Sequence, residues 1–243
     1  MKMKKFFLSM SVLVVTLFMS SCLGLGSRNY SESSVVYIDT ESGVNYGKTL
    51  TGRLITSDKI QEMIPQTFKF FAYSWDEEYG TTSISGTPVD KVVISGDPVD
   101  VGSAFLTLAE PPQEEEPDKF VDIDDPYYAN NKLYFDDHWL FQYAYEGRKE
   151  DAAEVTLYLV EESAQYNDDE VLIEIRLDVV EGPGTGTLTK KTEIVAVDMG
   201  PLRAYYEAQS QNKRDLKIRF QFHKKGSTVP VKLGGINMLT IGE

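Results

Sequence analysis

Nucleophilic or acid–base catalysis needs a nucleophile, a base and an orienting group within mutual reach, and this chain supplies few of them. Its two histidines are His138 and His223, its single cysteine is Cys22, and no Gly-x-Ser-x-Gly elbow occurs. Asp137-His138 has the composition of a dyad. Neighbours in a strand point to opposite faces, so a polar pair at a strand start is the plainer reading. Zinc wants clustered Cys and His, which these positions do not offer. Asp122-Ile123-Asp124-Asp125 carries carboxylates for calcium but lacks the glycine and closing glutamate of a binding loop. Gly182-Pro183-Gly184-Thr185-Gly186 lacks the lysine–hydroxyl ending of a phosphate cradle and reads as a turn. Among 38 acidic residues a glycosidase-type carboxylate pair is available, yet no spacing selects one. The expectation is a chain with no catalytic residue, no metal site and no cofactor.

Two groups of residues could bind rather than react. Lys213, Arg214, Lys217, Arg219, Lys224 and Lys225 crowd a short stretch in which Asp215 is the opposing acid. On a strand, Lys217, Arg219 and His223 share the outer face. There they could meet an acidic partner or an anionic glycan, or form a solvated face paired with the chain's own acids. Trp75, beside Asp76-Glu77-Glu78, is the tryptophan better placed for exposure and could stack on a sugar ring. Trp139 alternates with Phe141, Tyr143 and Tyr145, which suits a core face.

Cys22 has a different use. Met1-Lys2-Met3-Lys4-Lys5 is basic, Phe6 to Met19 is almost unbroken apolar sequence, and Ser20-Ser21 precede the cysteine. The apolar run is shorter than the roughly 20 residues a membrane-spanning helix needs. A plain secretory leader would leave an unexplained free thiol. The layout resembles a bacterial lipoprotein signal, with cleavage before Cys22 and lipid on its sulfur, although Met19 stands where such motifs more often carry Leu. The expected division is a signal peptide over 1–21 and a lipidated cysteine with a Gly/Ser-rich tether over 22–34. Loss of the leader removes Lys2, Lys4 and Lys5 and no acid, taking the formal charge from −14 to −17. Such a chain is repelled by nucleic acid, so nucleic acid is not an expected partner. With the one cysteine spent on lipid, no disulfide forms and the fold rests on packing.

These side chains sit on a chain patterned for strands. Val35-Val36-Tyr37-Ile38 opens ordered structure, and Val44 to Ile55 and Phe68 to Trp75 read as strands. Ser57 is the expected N-cap of a short helix reaching Met63. Ile84-Ser85-Gly86-Thr87-Pro88-Val89-Asp90 recurs as Ile94-Ser95-Gly96-Asp97-Pro98-Val99-Asp100. Two copies are too few for a solenoid and read as two turns flanking the strand Lys91 to Ile94. Val101 to Leu108 reads as a further strand. The stretch from Ala109 to Pro126 holds four prolines and Glu114-Glu115-Glu116 and reads as a linker. Beyond it, Val155, Leu157 and Leu159, then Val171, Ile173, Ile175 and Leu177, then Leu216, Ile218, Phe220 and Phe222 alternate with polar partners. Period-two patterning with one wet face predicts antiparallel sheets on a shared core, fitting a β-sandwich. Pro201 sets the first turn of one short helix over Leu202 to Gln209.

The order of the segments Trp139 to Tyr145, Val155-Thr156-Leu157-Tyr158-Leu159-Val160, Leu172-Ile173-Glu174-Ile175-Arg176, Ile194-Val195-Ala196-Val197-Asp198-Met199 and Leu216-Lys217-Ile218-Arg219-Phe220 resembles the NigD-like lipoproteins of Bacteroidetes. The resemblance implies an all-β chain: a small OB-like N-terminal β-barrel over 35–110, a Pro/Glu-rich linker over 111–126, and a C-terminal antiparallel β-sandwich with one short helix over 127–243. It carries no catalytic residues. It implies a lipid-anchored envelope protein with a non-catalytic, bacteriocin-immunity-like binding role, the alternative being a carbohydrate-binding accessory of a glycan-uptake system. Members of the family often carry acids directly after the lipid cysteine as a surface-export signal. Leu23-Gly24-Leu25-Gly26 stands there instead, which favours the periplasmic face of the outer membrane over the cell surface.

Overall fold

The computed structural model describes residues 29–113, 117–127, 134–160, 170–209 and 212–242. Residues 1–21, the lipidation position Cys22 and Glu114-Glu115-Glu116 lie outside the described residues. Packing divides the chain into two units, one ending at Val101 and one beginning at Gly102.

In the first unit β1 (Tyr30–Glu41) pairs antiparallel with β2 (Val44–Thr49) on one side and β4 (Thr67–Trp75) on the other. The stretch predicted as one strand from Val44 to Ile55 is broken. Thr49 N–H donates to Arg53 O at 3.0 Å, and the chain turns there into β3 (Leu54–Thr56). Helix α1 (Asp58–Gln61) follows, and its N-cap Ser57 accepts from Ile60 N–H at 3.3 Å. β5 (Thr81–Ile84), β6 (Thr87–Lys91) and β7 (Val93–Asp100) complete a seven-stranded sheet in the order β5-β6-β3-β2-β1-β4-β7. Val36, Ile38, Ile55, Ile60, Phe71 and Tyr73 form its main core.

This sheet is open, which corrects the OB-like barrel expected for the N-terminal half. A barrel closes by pairing its two ends; here the ends, β5 and β7, each pair with one neighbour. Neither end is built to close. β5 has four residues, and β7 is interrupted where Gly96, Asp97 and Pro98 stand against Phe71 alone as the register shifts between Phe70 and Ala72. Proline has no N–H to offer a further strand.

The second unit is one nine-stranded sheet, not two stacked antiparallel ones. Its strands are β8 (Gly102–Thr107), β9 (Asp122–Ile123), β10 (Tyr134–Gly147), β11 (Ala152–Val160), β12 (Glu170–Val180), β13 (Thr189–Asp198), β14 (Arg214–Phe222), β15 (Val231–Lys232) and β16 (Asn237–Ile241). The order is β15-β14-β12-β11-β8-β13-β10-β9, with β16 also pairing β14. The antiparallel expectation fails because β8 inserts between β11 and β13 and runs parallel to both, while β12 and β14 are parallel to each other.

The sheet is curled into a half-barrel. Phe141 of β10 and Phe220 of β14 have ring centroids 5.0 Å apart, and Trp139 lies 6.0 Å from Phe220. Four strands separate β10 from β14, and five strand spacings on a flat sheet would hold them about 24 Å apart. The alternating apolar residues line the concave face as one core with Met199 and Leu202. Residues 117–123 of the Pro/Glu-rich stretch strap the gap: Asp118 bridges Leu177, Phe120 bridges Lys224, and β9 pairs with β10. Phe120 is fully buried and meets Tyr143 and Phe222 edge-on, each at 5.8 Å. Helix α2 (Gly200–Gln209) starts where Asp198 Oδ1 accepts from Gly200 N–H at 2.8 Å, with Pro201 in its first turn.

Candidate functional site

The convex face of the half-barrel carries the side chains that alternate with the core. β14 contributes Lys217, Arg219, Gln221 and, just past its end, His223; β12 contributes Glu170, Leu172, Glu174 and Arg176; β11 contributes Thr156 and Tyr158. The register sets Glu174 opposite Gln221 on one side and Tyr158 on the other. Alternation along β14 thus keeps three candidates from the sequence, Lys217, Arg219 and His223, on one face, and strand pairing sets the β12 acids beside them. Trp75 belongs to the other unit.

Glu174 is the centre of this face. It is 5% exposed, although it lies on the side of the sheet away from the core. Its Oε1 accepts from Arg176 Nε at 2.7 Å and lies 3.3 Å from His223 Nε2, and its Oε2 accepts from Gln221 Nε2 at 2.9 Å. Burial alone would raise the Glu174 carboxyl. Hydrogen bonds from Arg176 and Gln221, with the charges of Arg176 and His223, outweigh it and hold the group below its ordinary range. Arg176 also donates to Pro112 O at 2.6 Å and lies 5.7 Å from the centre of the Tyr158 ring.

Three other cations of the basic stretch are paired with acids. Arg219 pairs with Glu170, Lys224 with Asp122 at 2.9 Å, and Lys225 with Glu146 at 2.5 Å. Lys217 is exposed opposite Glu170. The surface is thus largely neutralised from within. A buried carboxylate holding a histidine is half of a catalytic relay, but Glu174 is a shared acceptor for three donors on the open convex face of the sheet. The arrangement orients groups for contact more readily than for proton transfer.

One exposed group on this face was not singled out from the sequence. Phe105, in the middle of β8, is 75% exposed. Ala104 and Leu106 turn toward the core, so Phe105 faces outward with Ser103 and Thr107, directly opposite Thr156 of β11. The available signal was a phenylalanine between two hydroxyl residues at spacing two, on the face opposite a small apolar pair.

The remaining candidates take structural positions. Trp75 is half-buried: its ring stacks on Tyr30 at 5.7 Å, its Nε1 donates to Gly80 O at 3.1 Å, and the Arg53 guanidinium lies 3.8 Å from the centre of the Tyr30 ring. Asp137 gives its carboxylate to Arg203 of α2, with Nη2 at 2.5 Å from Oδ1, while His138 Nδ1 lies 3.1 Å from Phe135 O. The two do not form a dyad. A cleft of about 480 Å³ in the second unit includes Asp118, Lys119, Glu146, Asp151, Glu181 and Lys225 in its lining. Its acids are held in place: Asp118 by Val179 N–H, Asp151 by the N–H groups of Arg148 and Gly182, Glu146 by Lys225 and Glu181 by Arg148. Among the described residues no three His, Cys, Asp or Glu side chains are grouped to hold a metal, and no helix is long and apolar enough to cross a membrane.

No family model matches the chain, and no curated protein matches its sequence. Solved structures do resemble it. A protein of Bacteroides fragilis described as a candidate lipoprotein matches over 88% of this chain and 98% of its own, with a TM-score of 0.55 at 12% identity. A NigD-like immunity protein from Bacteroides caccae matches over 84% of this chain and 92% of its own, with a TM-score of 0.51 at 12% identity. An uncharacterised protein from Parabacteroides merdae matches over 85% and 95%, with a TM-score of 0.55 at 12% identity. The chain thus shares a fold, at remote sequence identity, with several proteins of these bacteria.

Proposed function

We propose that this chain is a lipid-anchored protein of the bacterial cell envelope with a non-catalytic binding role, exercised by the convex face of its second unit. The observation that carries the reading is the circuit around Glu174, which engages Arg176, Gln221 and His223 beside the Arg219–Glu170 pair, on a face where the Phe105 ring stands exposed. The leader over residues 1–21 supports a lipid anchor at Cys22, and Leu23-Gly24-Leu25-Gly26 in place of acids after it favours the periplasmic face of the outer membrane. Anchoring confines the chain to the membrane surface and raises its effective concentration toward membrane-bound partners. The likeness in fold to a NigD-like immunity protein supports an immunity-like role with a protein partner. The exposed ring of Phe105 favours the second reading, a carbohydrate-binding accessory.

Affinity purification of the full chain from detergent-solubilised envelope tests the shared core of both readings. A Phe105→Asp variant places an unpaired charge on the face without touching the core. An envelope component recovered with the wild-type chain and lost with Phe105→Asp supports the proposal. Equal recovery with both, or none with either, contradicts it.

A further inference from the structure

We infer that the convex face at Phe105 is a stacking platform for the rings of an uncharged polysaccharide. The inference rests on the non-catalytic binding role proposed above and names the ligand class for that face.

The support under the ring is rigid. β8 is paired on both sides, to β11 and to β13, so the backbone beneath Phe105 cannot shift to bury it. On β8 and β11 the residues around the ring carry hydroxyls: Ser103 and Thr107 flank it two residues away on the same face, and Thr156 stands directly across, while on the β13 side the register runs on from Val197 to the exposed Asp198. Tyr158 opposes Thr107 and so lies diagonal to Phe105, within reach of a large ligand. An apolar protein side chain set on this ring would strip water from those hydroxyls and return no hydrogen bond, which is unfavourable. A sugar ring presents an apolar C–H face for stacking and hydroxyls at its rim, and it satisfies both demands.

Charge selects among sugars. The nearest cation of the face, Arg176, is engaged by Glu174 and by Pro112 O, so no strong field favours an anionic polymer. The exposed residues around Phe105 lie on a sheet, which suits an extended chain lying across the surface more than a small molecule in a pocket.

Affinity electrophoresis of the full chain in detergent tests this, with mannan, amylopectin, a mixed-linkage β-glucan and galactomannan as neutral probes and polygalacturonate as the charged control. At least one neutral polymer retards the wild-type chain, and polygalacturonate does not. Phe105→Ala weakens the retardation about tenfold or more, the loss expected for one stacked ring, and Phe105→Trp retains it. Because Phe105 is exposed, both variants keep the wild-type melting transition. Absence of retardation by every neutral polymer, or equal retardation of Phe105→Ala, overturns the inference. If the polymers fail while an envelope protein still co-purifies in a Phe105-dependent way, the sugar inference falls and the binding role stands.

Discussion

Glu174 shows how a single residue organises a surface. Its carboxyl is held below the ordinary glutamate range, about 4.3, because Arg176, Gln221 and His223 together outweigh its burial. A carboxyl depressed in the folded state stabilises the fold above its unfolded value, and that contribution is lost as pH falls through the folded value. Glu174→Gln keeps the size of the side chain and removes its charge. The variant should melt lower than wild type at pH 7, and the gap should close as pH is lowered below 4; a gap independent of pH would show that Glu174 contributes through packing alone. The sequence made part of this legible. Alternation along 216–223 put Lys217, Arg219 and His223 on one face. It could not show that acids 49 positions away would meet Arg219 and His223, because Glu170 and Glu174 arrive through the parallel pairing of β12 with β14. Phe105 escaped for a related reason: it stands between Ala104 and Leu106, so its strand carries apolar residues on both faces, and only the curl of the sheet shows which face is core.

At the scale of elements, patterning located strands well and their neighbours poorly. The two heptapeptides beginning at Ile84 and Ile94 are nearly identical, yet the first makes the hairpin between β5 and β6, with Ser85 and Gly86 at positive φ, and the second makes the bulge in β7, with Gly96 at positive φ. The same glycine freedom serves both, and the partner strand decides which forms. The Pro/Glu-rich stretch hid a structural strap for a similar reason. Its prolines and acids mark an irregular path, but Phe120 within it is fully buried between Tyr143 and Phe222. Phe120→Ala should destabilise the second unit by about 3–5 kcal/mol, the range for emptying an aromatic site in a core, seen as a lower denaturation midpoint. Tolerance of Phe120→Ala within about 1 kcal/mol would mean the strap is peripheral.

For the whole molecule, hydrophobic period correctly announced a mostly-β chain but not how its sheets close. A sandwich and a half-barrel demand the same alternation, since each buries one face of every strand. What separates them is the parallel insertion of β8, a strand remote in sequence from the ones it joins. The open first sheet likewise depends on which strands lie at its ends. The proposed placement of the molecule in the cell rests on Cys22, which lies outside the described residues. Cys22→Ala should move the chain from the membrane to the soluble fraction of the envelope; an unchanged distribution would remove the anchor. The most direct test of the account is photocrosslinking in intact producing cells, with a photoreactive phenylalanine analogue at position 105, at Glu154 of the same unit, or at Val99 of the other. The account predicts a discrete adduct with an envelope component from position 105 and none from position 99. Adducts absent at 105, or formed equally from all three positions, would contradict it.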